Sequence, residues 1–323
     1  MRHKFKSTLF TIATMALLSG CSSDSGTEDE LTMTPFTINF SAMSGDQNVD
    51  CDAMVSGFGN EGHYSIGVSD LRFYVSNIEL FDQYGEKIEA SFDSNEFQLN
   101  HDLGFVGLVD LTSNSSGKCT SDAIPNSEGT ARTNNVMTGK MIDTGVNKIT
   151  FDIGVPQAIM KEVIATQSAE DAPSPLNEMY WSWASGYRHF VMNFAIESMM
   201  GNTGEGYIHI GSRGCGDDSL LALENKEKCD FVNTPKVEIT DFEPNMDTVV
   251  IRIDKLLDQL SFAPAMSSHG DHTADTEMMD SPSVTCHSAS PEMQPDCAAI
   301  FQNLGLSTDD GSSSSDTNQV VQH

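Results

Sequence analysis

The stretch VSDLRFYVSNIELF, residues 68–81, has the clearest strand pattern in the chain. Apolar side chains recur at every second position from Leu71 to Val75 and again from Ile78 onward, with a break near Asn77. Alternation at period two is typical of a β-strand that buries one face. The stretch therefore predicts a long strand that is irregular near Asn77.

The same alternation predicts most of the remaining fold. Further strands are expected at residues 36–40, 148–155, 187–196, 206–210, 237–242 and 248–253. A Gly-rich link at residues 202–206 joins two of these strands as a hairpin. Helical patterns are weak, and short helices are expected at residues 156–166, 254–260 and 297–304. Many short strands and few helices predict a mainly β fold, a disulfide-braced β-sandwich with a few short helices.

The N-terminus has the pattern of an exported lipoprotein. Three basic residues precede an apolar run at residues 9–18, which is shorter than the about 20 residues of a membrane-spanning helix. The run ends in LLSGC, a lipobox that places Cys21 at the cleavage position. We therefore expect a signal peptide, lipidation of Cys21 and anchoring in the cell envelope. Ser22 favours the outer membrane, facing the periplasm.

The chain divides into four predicted segments. They are a signal peptide at residues 1–20, a lipidated flexible tether at 21–33, a single β domain at 34–306 and a disordered acidic, Ser-rich tail at 307–323. Removing the three basic and no acidic side chains of residues 1–20 takes the formal net charge from −30 to −33. Such a charge excludes nucleic acid as a partner, because nucleic-acid binders present a basic face.

The cysteines favour disulfides rather than a metal site. Of the seven cysteines, Cys21 belongs to the lipobox, and the other six form an even set in an oxidising compartment. Several connectivities are open. Short spacing favours Cys215–Cys229 and Cys286–Cys297, which leaves Cys51–Cys119. No hydrolase elbow, phosphate-binding loop, zinc-protease or haem-attachment motif occurs, so we expect no enzyme.

Two features are candidates for chemistry. Trp181 and Trp183 are the only tryptophans; core packing is the usual role of such residues, and oxidation of one of them is the alternative. Methionine is abundant, with 17 residues, and thioether with imidazole favours copper, especially Cu(I). His269 and His272 lie in a polar Met- and His-rich segment that is equally well explained as a solvated loop. His209 lies on a predicted strand.

His189 is a further candidate metal ligand. It lies on the strand predicted at residues 187–196, an even number of positions beyond Trp181. An even offset is compatible with one face of an extended segment.

The chain resembles the MbnP-type family of periplasmic copper-binding proteins, which occur beside methanobactin operons and form the four-Cys member of a "metallo-mystery pair". The resemblance spans residues 36–306. The matching stretches are DLRFYVSN at 70–77, LVDL at 108–111 with Cys119, FDIGVP at 151–156, PSPLN at 173–177, MYWSWASGYR at 179–188, HIGS at 209–212 with Cys215, and Cys286 to Cys297 with LGL at 304–306.

The resemblance implies a copper site that depends on a modified tryptophan. In that family a dihaem protein of the MauG or cytochrome c peroxidase type (MbnH) oxidises the first Trp of Trp-x-Trp to kynurenine, and copper binding requires the change. Trp181 would be the modified residue, Trp183 its neighbour and His209 the first ligand. The implied role is copper homeostasis.

One departure from the family pattern concerns the ligands. Family members often continue Gly-Val-Pro into Leu-Asn-His, whereas this chain reads GVPQAIMK at residues 154–161 and has Lys161 where the histidine is expected. Met160 or His189 would replace that ligand. The alternative function is a metal-free surface or structural interaction lipoprotein of the same fold.

Overall fold

The computed structural model describes residues 32–51, 53–113, 133–142, 145–166, 171–181, 186–215, 229–262 and 281–323. The strands in this part of the chain are β1 (Met33–Ser44), β2 (Gln47–Asn48), β3 (Val55–Phe58), β4 (Tyr64–Asp82), β5 (Lys87–Ile88), β6 (Ala90–Phe92), β7 (Gln98–His101), β8 (Gly104–Asp110), β9 (Val136–Ile142), β10 (Val146–Ile153), β11 (Tyr180–Trp181), β12 (Gly186–Ser198), β13 (Thr203–Gly211), β14 (Lys236–Thr240), β15 (Thr248–Arg252), β16 (Ser283–Cys286), β17 (Leu304–Leu306), β18 (Ser313–Asn318) and β19 (Val321–Gln322). The helices are α1 (Gln157–Thr166), α2 (Ile253–Leu256) and α3 (Asp296–Asn303).

Strand β4 is the centre of the larger sheet and contains the stretch at residues 68–81. It pairs with β12 along its first half and with β10 along its second half, and β8 pairs with its middle along the opposite edge. The predicted irregularity is present: Asn77 has φ 50°, and the register with β10 shifts between Thr150 and Asp152. Asn tolerates this left-handed conformation better than most residues, so the break bends β4 without ending it.

Two sheets form a sandwich. The larger follows the order β14-β10-β4-β12-β13-β16, and the smaller follows β19-β15-β1-β9-β6. The alternating Phe36, Ile38 and Phe40 of β1 are buried between them. The Phe40 ring meets Phe73 of β4 edge-on, with ring centroids 5.9 Å apart. The predicted β-sandwich is therefore confirmed.

A second apolar layer covers the outer face of the larger sheet. Tyr74 of β4 and Val191 of β12 point away from the sandwich and pack with Ile159 and Met160 of α1. The segment from Ala172 to Trp181 completes the cover. The central strands are thus buried on both faces, and the candidate site lies at the edge of this outer layer.

The predicted helices and hairpin are present. The helices expected at residues 156–166 and 297–304 correspond to α1 and α3, and that at residues 254–260 shortens to the four-residue α2. Strands β12 and β13 pair antiparallel from Arg188 to Glu197, which confirms the hairpin. No helix in the described ranges has the length and hydrophobicity that crossing a bilayer requires.

The prediction of a disordered tail at residues 307–323 is wrong. β18 pairs with β17, and β19 pairs with β15 at the edge of the smaller sheet. Val320 is fully buried and accepts a hydrogen bond from the Arg252 N–H at 2.7 Å. Ser- and Asp-rich composition suggested a solvated tail, but main-chain pairing and two buried valines are enough to order it. The compact unit runs from Met33 to His323.

Two predicted disulfides are confirmed. Cys215 is bonded to Cys229, and Cys286 is bonded to Cys297. Cys51 is also disulfide-bonded, while its expected partner Cys119 lies outside the described residues. Cys21 lies outside them as well.

Candidate functional site

Trp181 lies in a short hairpin on the outer face of the larger sheet. β11 pairs antiparallel with the start of β12, so that Trp181 is opposite Gly186. The indole is 6% exposed and lies over Gly211 of β13, where an added Cβ would come within 3.1 Å of its Cε3 atom. A glycine at this position lets the indole approach the strand backbone closely.

Side chains of the sheet hold the segment that leads to Trp181. The Tyr74 hydroxyl lies 2.9 Å from the Pro175 carbonyl and 2.7 Å from that of Glu178. The Tyr187 hydroxyl donates to the Leu176 carbonyl at 2.6 Å. Arg72 forms an ion pair with the Glu178 carboxylate at 3.3 Å. Burial raises the pKa of the Tyr187 phenol, as it does for Tyr74, so both remain donors at neutral pH.

Two histidines stack beside Trp181. β13 and β16 are parallel, with Ile208 opposite Cys286, and the next residue on each strand is a histidine. The His209 and His287 rings have centroids 4.7 Å apart and an interplanar angle of 13°. Each ring lies edge-on to the Trp181 indole with centroids 6.4 Å apart. The fold therefore brings Trp181, His209 and His287 into one cluster.

Main-chain contacts position His287. The Gly211 N–H donates to Ser288 Oγ at 2.8 Å, and that hydroxyl donates to the His209 carbonyl at 3.1 Å. The His287 N–H donates to Gln294 Oε1 at 2.6 Å. Together with the disulfide at Cys286, these bonds fix the end of β16 against β13.

Both imidazoles of the cluster are neutral at physiological pH. Burial, followed by the nearby charge of Arg188, lowers the pKa of His209 to about 3. The same two causes lower the pKa of His287. His209 Nε2 lies 2.8 Å from Asn193 Oδ1, which makes Nε2 the donor and leaves a lone pair on Nδ1. The Nε2 atom of His287 is buried and has no hydrogen-bond partner in the described part of the chain.

His189 lies in a different environment from His209. It is fully buried, with Nδ1 3.1 Å from the Asn233 carbonyl and Nε2 3.3 Å from Ser212 Oγ. The even spacing does not place His189 and Trp181 on one face, because Trp181 belongs to β11 and β12 is bulged between Arg188 and Phe190. Since both ring nitrogens already have protein partners, His189 serves as a buried structural histidine.

Met160 lies behind the tryptophan hairpin. Its Sδ atom would be 3.5 Å from a Cβ on Gly186, and the Cys215 Sγ atom would be 3.2 Å from the same point. The thioether thus packs beside the Cys215–Cys229 disulfide in the outer apolar layer. The structure places it with this disulfide rather than with the stacked histidines.

The remaining candidates lie outside the described residues. They are Trp183, His269 and His272. Within the described ranges, no group of three or more His, Cys, Asp or Glu side chains is arranged to hold a metal ion.

His287 is the site residue that sequence reasoning did not single out. It was one of several histidines and methionines in a polar segment, with no pattern to separate it from His269 or His272. Parallel pairing between β13 and β16 is what makes it a neighbour of His209. The Cys286–Cys297 pair, predicted from spacing, was the available signal that residue 287 is held in place.

Comparisons with known proteins agree with this architecture. A family model described as MbnP matches residues 33–280, more than half of the chain. A solved structure, MbnP from Methylosinus trichosporium, is similar with a TM-score of 0.63 at 20% sequence identity, over 90% of this chain and 98% of that chain. At this identity the likeness establishes the fold. No curated protein matches the sequence significantly.

Proposed function

The chain belongs to the MbnP family, and on that premise we propose that it is an exported lipoprotein that binds copper beside an oxidised Trp181. Family membership indicates a role in the methanobactin and copper system. The proposed protein is a binding protein rather than an enzyme. It is anchored through Cys21 to the outer membrane and faces the periplasm.

The stacked pair of His209 and His287 beside Trp181 is the observation that carries the proposal. Neutral imidazoles with free lone pairs are good ligands for copper, and burial keeps both rings neutral. Among the described residues, the buried Nε2 atom of His287 has no hydrogen-bond partner, and a bound metal ion would supply one. These features fit a copper site that His209 and His287 would hold.

Oxidation of Trp181 would supply further metal-binding atoms beside His209 and His287. Opening the indole to kynurenine replaces a donor-only N–H by an aniline nitrogen and a ketone oxygen, which are both able to act as ligands. Because the indole is 6% exposed, the proposed partner, a dihaem protein of the MauG or cytochrome c peroxidase type, would withdraw electrons from it across the protein surface. The copper ion would then lie among His209, His287 and the modified residue.

The first test is peptide mass spectrometry and metal analysis of the protein purified from copper-replete native cells that express the dihaem partner. We expect a mass gain of about 4 Da, the Trp-to-kynurenine change, on the peptide that contains Trp181, together with bound copper. An unmodified Trp181 and a metal-free protein would instead support a surface or structural role for the same fold.

The second test separates the ligands. His209→Ala and His287→Ala should each lose tight copper binding while Trp181 is still modified. His63→Ala is the matched control, because the His63 side chain is 53% exposed just before β4 and outside the cluster, and it should bind copper like the wild type. Unchanged affinity in either of the first two variants would remove that histidine from the ligand set.

A further inference from the structure

Tyr207 is an exposed aromatic residue on the strand that carries His209. Glu205, Tyr207 and His209 occupy alternate positions of β13, so their side chains share the outer face of the larger sheet. The Tyr207 ring meets the His209 ring edge-on, with centroids 6.3 Å apart, and the His209 ring meets the Trp181 indole in the same way at 6.4 Å. The three rings therefore form a continuous row that leads away from Trp181.

This row connects a buried ring with the protein surface. The Trp181 side chain lies at one end and is 6% exposed, whereas Tyr207 lies at the other end and is 37% exposed. Tyr207 also lines an open cleft of about 540 Å³, together with Glu205 of its own strand and Thr285 of β16. A protein that docks over this cleft would contact Tyr207 directly, while the Trp181 indole stays largely covered.

The contacts of Tyr207 suit it to the loss of an electron. A phenol becomes strongly acidic when it is oxidised, so its oxidation requires a nearby proton acceptor. The Tyr207 hydroxyl donates a hydrogen bond to Glu205 Oε2, and an ionised carboxylate is an acceptor only. The imidazole of His209 is much harder to oxidise than a phenol or an indole, and it fills the space between the two oxidisable rings.

We propose that Tyr207 is the residue through which the haem oxidant of the partner draws electrons from Trp181. In each one-electron step, Tyr207 loses an electron to the haem and its phenolic proton to Glu205. It then recovers an electron from Trp181 and the proton from Glu205. The net change is the transfer of one electron from Trp181 to the haem. The inference rests on the proposed oxidation of Trp181 and adds the contact surface for the partner.

Tyr180 is the rival route, because it directly precedes Trp181 on β11. Successive side chains of a strand point to opposite faces, and the Tyr180 ring packs edge-on against Tyr187 at 5.7 Å, beside the outer apolar layer. It is also less exposed than Tyr207. Tyr180→Phe is therefore a matched control, since it removes a phenol hydroxyl close to Trp181 and leaves the Tyr207 row intact.

The experiment starts from the full chain produced without the dihaem partner, so that Trp181 is unmodified. Purified partner and hydrogen peroxide are added, and peptide mass spectrometry follows the initial rate of kynurenine formation. Tyr207→Phe should slow this rate at least about tenfold, which corresponds to a barrier higher by about 1.4 kcal/mol. Tyr207→Trp supplies another oxidisable ring and should restore most of the rate. Tyr180→Phe should react like the wild type.

A radical signal separates electron transfer from a packing effect. Trp181→Phe removes the electron donor behind Tyr207, so oxidation should stop at Tyr207 and give a tyrosyl radical in electron paramagnetic resonance. The double variant Trp181→Phe, Tyr207→Phe should lack this signal.

The outcomes distinguish the two proposals. A wild-type rate in Tyr207→Phe, equally slow rates in Tyr207→Phe and Tyr207→Trp, or a tyrosyl signal that persists in the double variant overturns the role of Tyr207. Each of these results leaves the oxidation of Trp181 standing. A wild-type protein whose Trp181 stays unmodified in the presence of active partner refutes the proposed oxidation itself, and the inference about Tyr207 falls with it.

Discussion

Two histidines on neighbouring strands, His189 on β12 and His209 on β13, differ in what their ring nitrogens contact. His189 has protein partners at both nitrogens. Within the described part of the chain, the His209 ring nitrogens have one hydrogen-bond partner, Asn193, and the ring faces His287 and Trp181. A metal ligand needs a free lone pair, so the hydrogen-bond partners, rather than burial, separate the structural histidine from the candidate ligand.

The buried His189 predicts an acid-sensitive fold. Burial lowers its pKa to about 4, whereas an unfolded histidine has a pKa of about 6.5. Below pH 6.5 the unfolded chain binds a proton that the folded chain refuses, so the free energy of unfolding falls as the pH falls from 6.5 to 4. The expected contribution of His189 is about 3 kcal/mol over this interval.

Urea unfolding at pH 7.5, 5.5 and 4.5 measures this effect, with His189→Gln as the comparison because Gln cannot titrate. The variant should be less stable at pH 7.5 and lose less stability on acidification. Burial raises the pKa of Asp110 to about 6, so this carboxyl group makes the fold more stable as the pH falls. Its effect is the same in both proteins. Parallel pH profiles for the two proteins would show that His189 does not titrate as expected.

At the scale of elements, the segment that carries Trp181 is held to the sheet by hydroxyl groups. Tyr74→Phe removes the hydroxyl that contacts the Pro175 and Glu178 carbonyls. The expected cost is about 1 kcal/mol in the free energy of unfolding, with slower formation of kynurenine at Trp181. Tyr84→Phe, whose ring is 80% exposed, is the control. Equal stabilities and equal rates in the two variants would contradict the anchoring role.

Strand β16 lies at the edge of the larger sheet. We therefore expect it to depend on the Cys286–Cys297 disulfide to stay in place. Replacing both cysteines by serine opens a loop of 11 residues, and the loop-entropy relation gives a loss of about 3 kcal/mol. Because His287 directly follows Cys286, copper affinity should also fall, while Trp181 is still modified. Chemical denaturation and copper competition measure the two effects. Retained copper affinity at the reduced stability would show that β16 stays paired without the disulfide.

Period-two patterns were sufficient to predict the strands but not their neighbours. The stretch at residues 68–81 contains the full alternation that a half-buried strand requires, and its break at Asn77 is a bulge in the structure. Such local patterns do not determine which strands pair with each other. The β13–β16 pair is parallel and joins distant segments, so the meeting of His209 with His287 was not predictable. The bulge at Arg188 was not predictable from the pattern either, and it moves His189 away from the face on which Trp181 lies.

At the scale of the whole molecule, the C-terminal residues connect the two sheets. β19 extends the smaller sheet, and the Gln319 N–H donates to the Asn303 carbonyl at 2.9 Å. Farther back, the Asn233 N–H donates to the Gly311 carbonyl at 3.2 Å. Asn233 in turn contacts His189 and Gly211. The C-terminal residues therefore support both the sandwich and the backbone under Trp181.

Val320→Ala, which removes two methyl groups, tests this role. The Val320 side chain is fully buried, so Val320→Ala should lower the free energy of unfolding by about 2 kcal/mol through lost burial and the cavity that remains. Ser314→Ala, at an exposed position of β18, should have little effect. Thermal unfolding of both variants gives the comparison. A solvated tail predicts equal melting temperatures for the two variants, whereas a tail that closes the sandwich predicts that only Val320→Ala melts earlier.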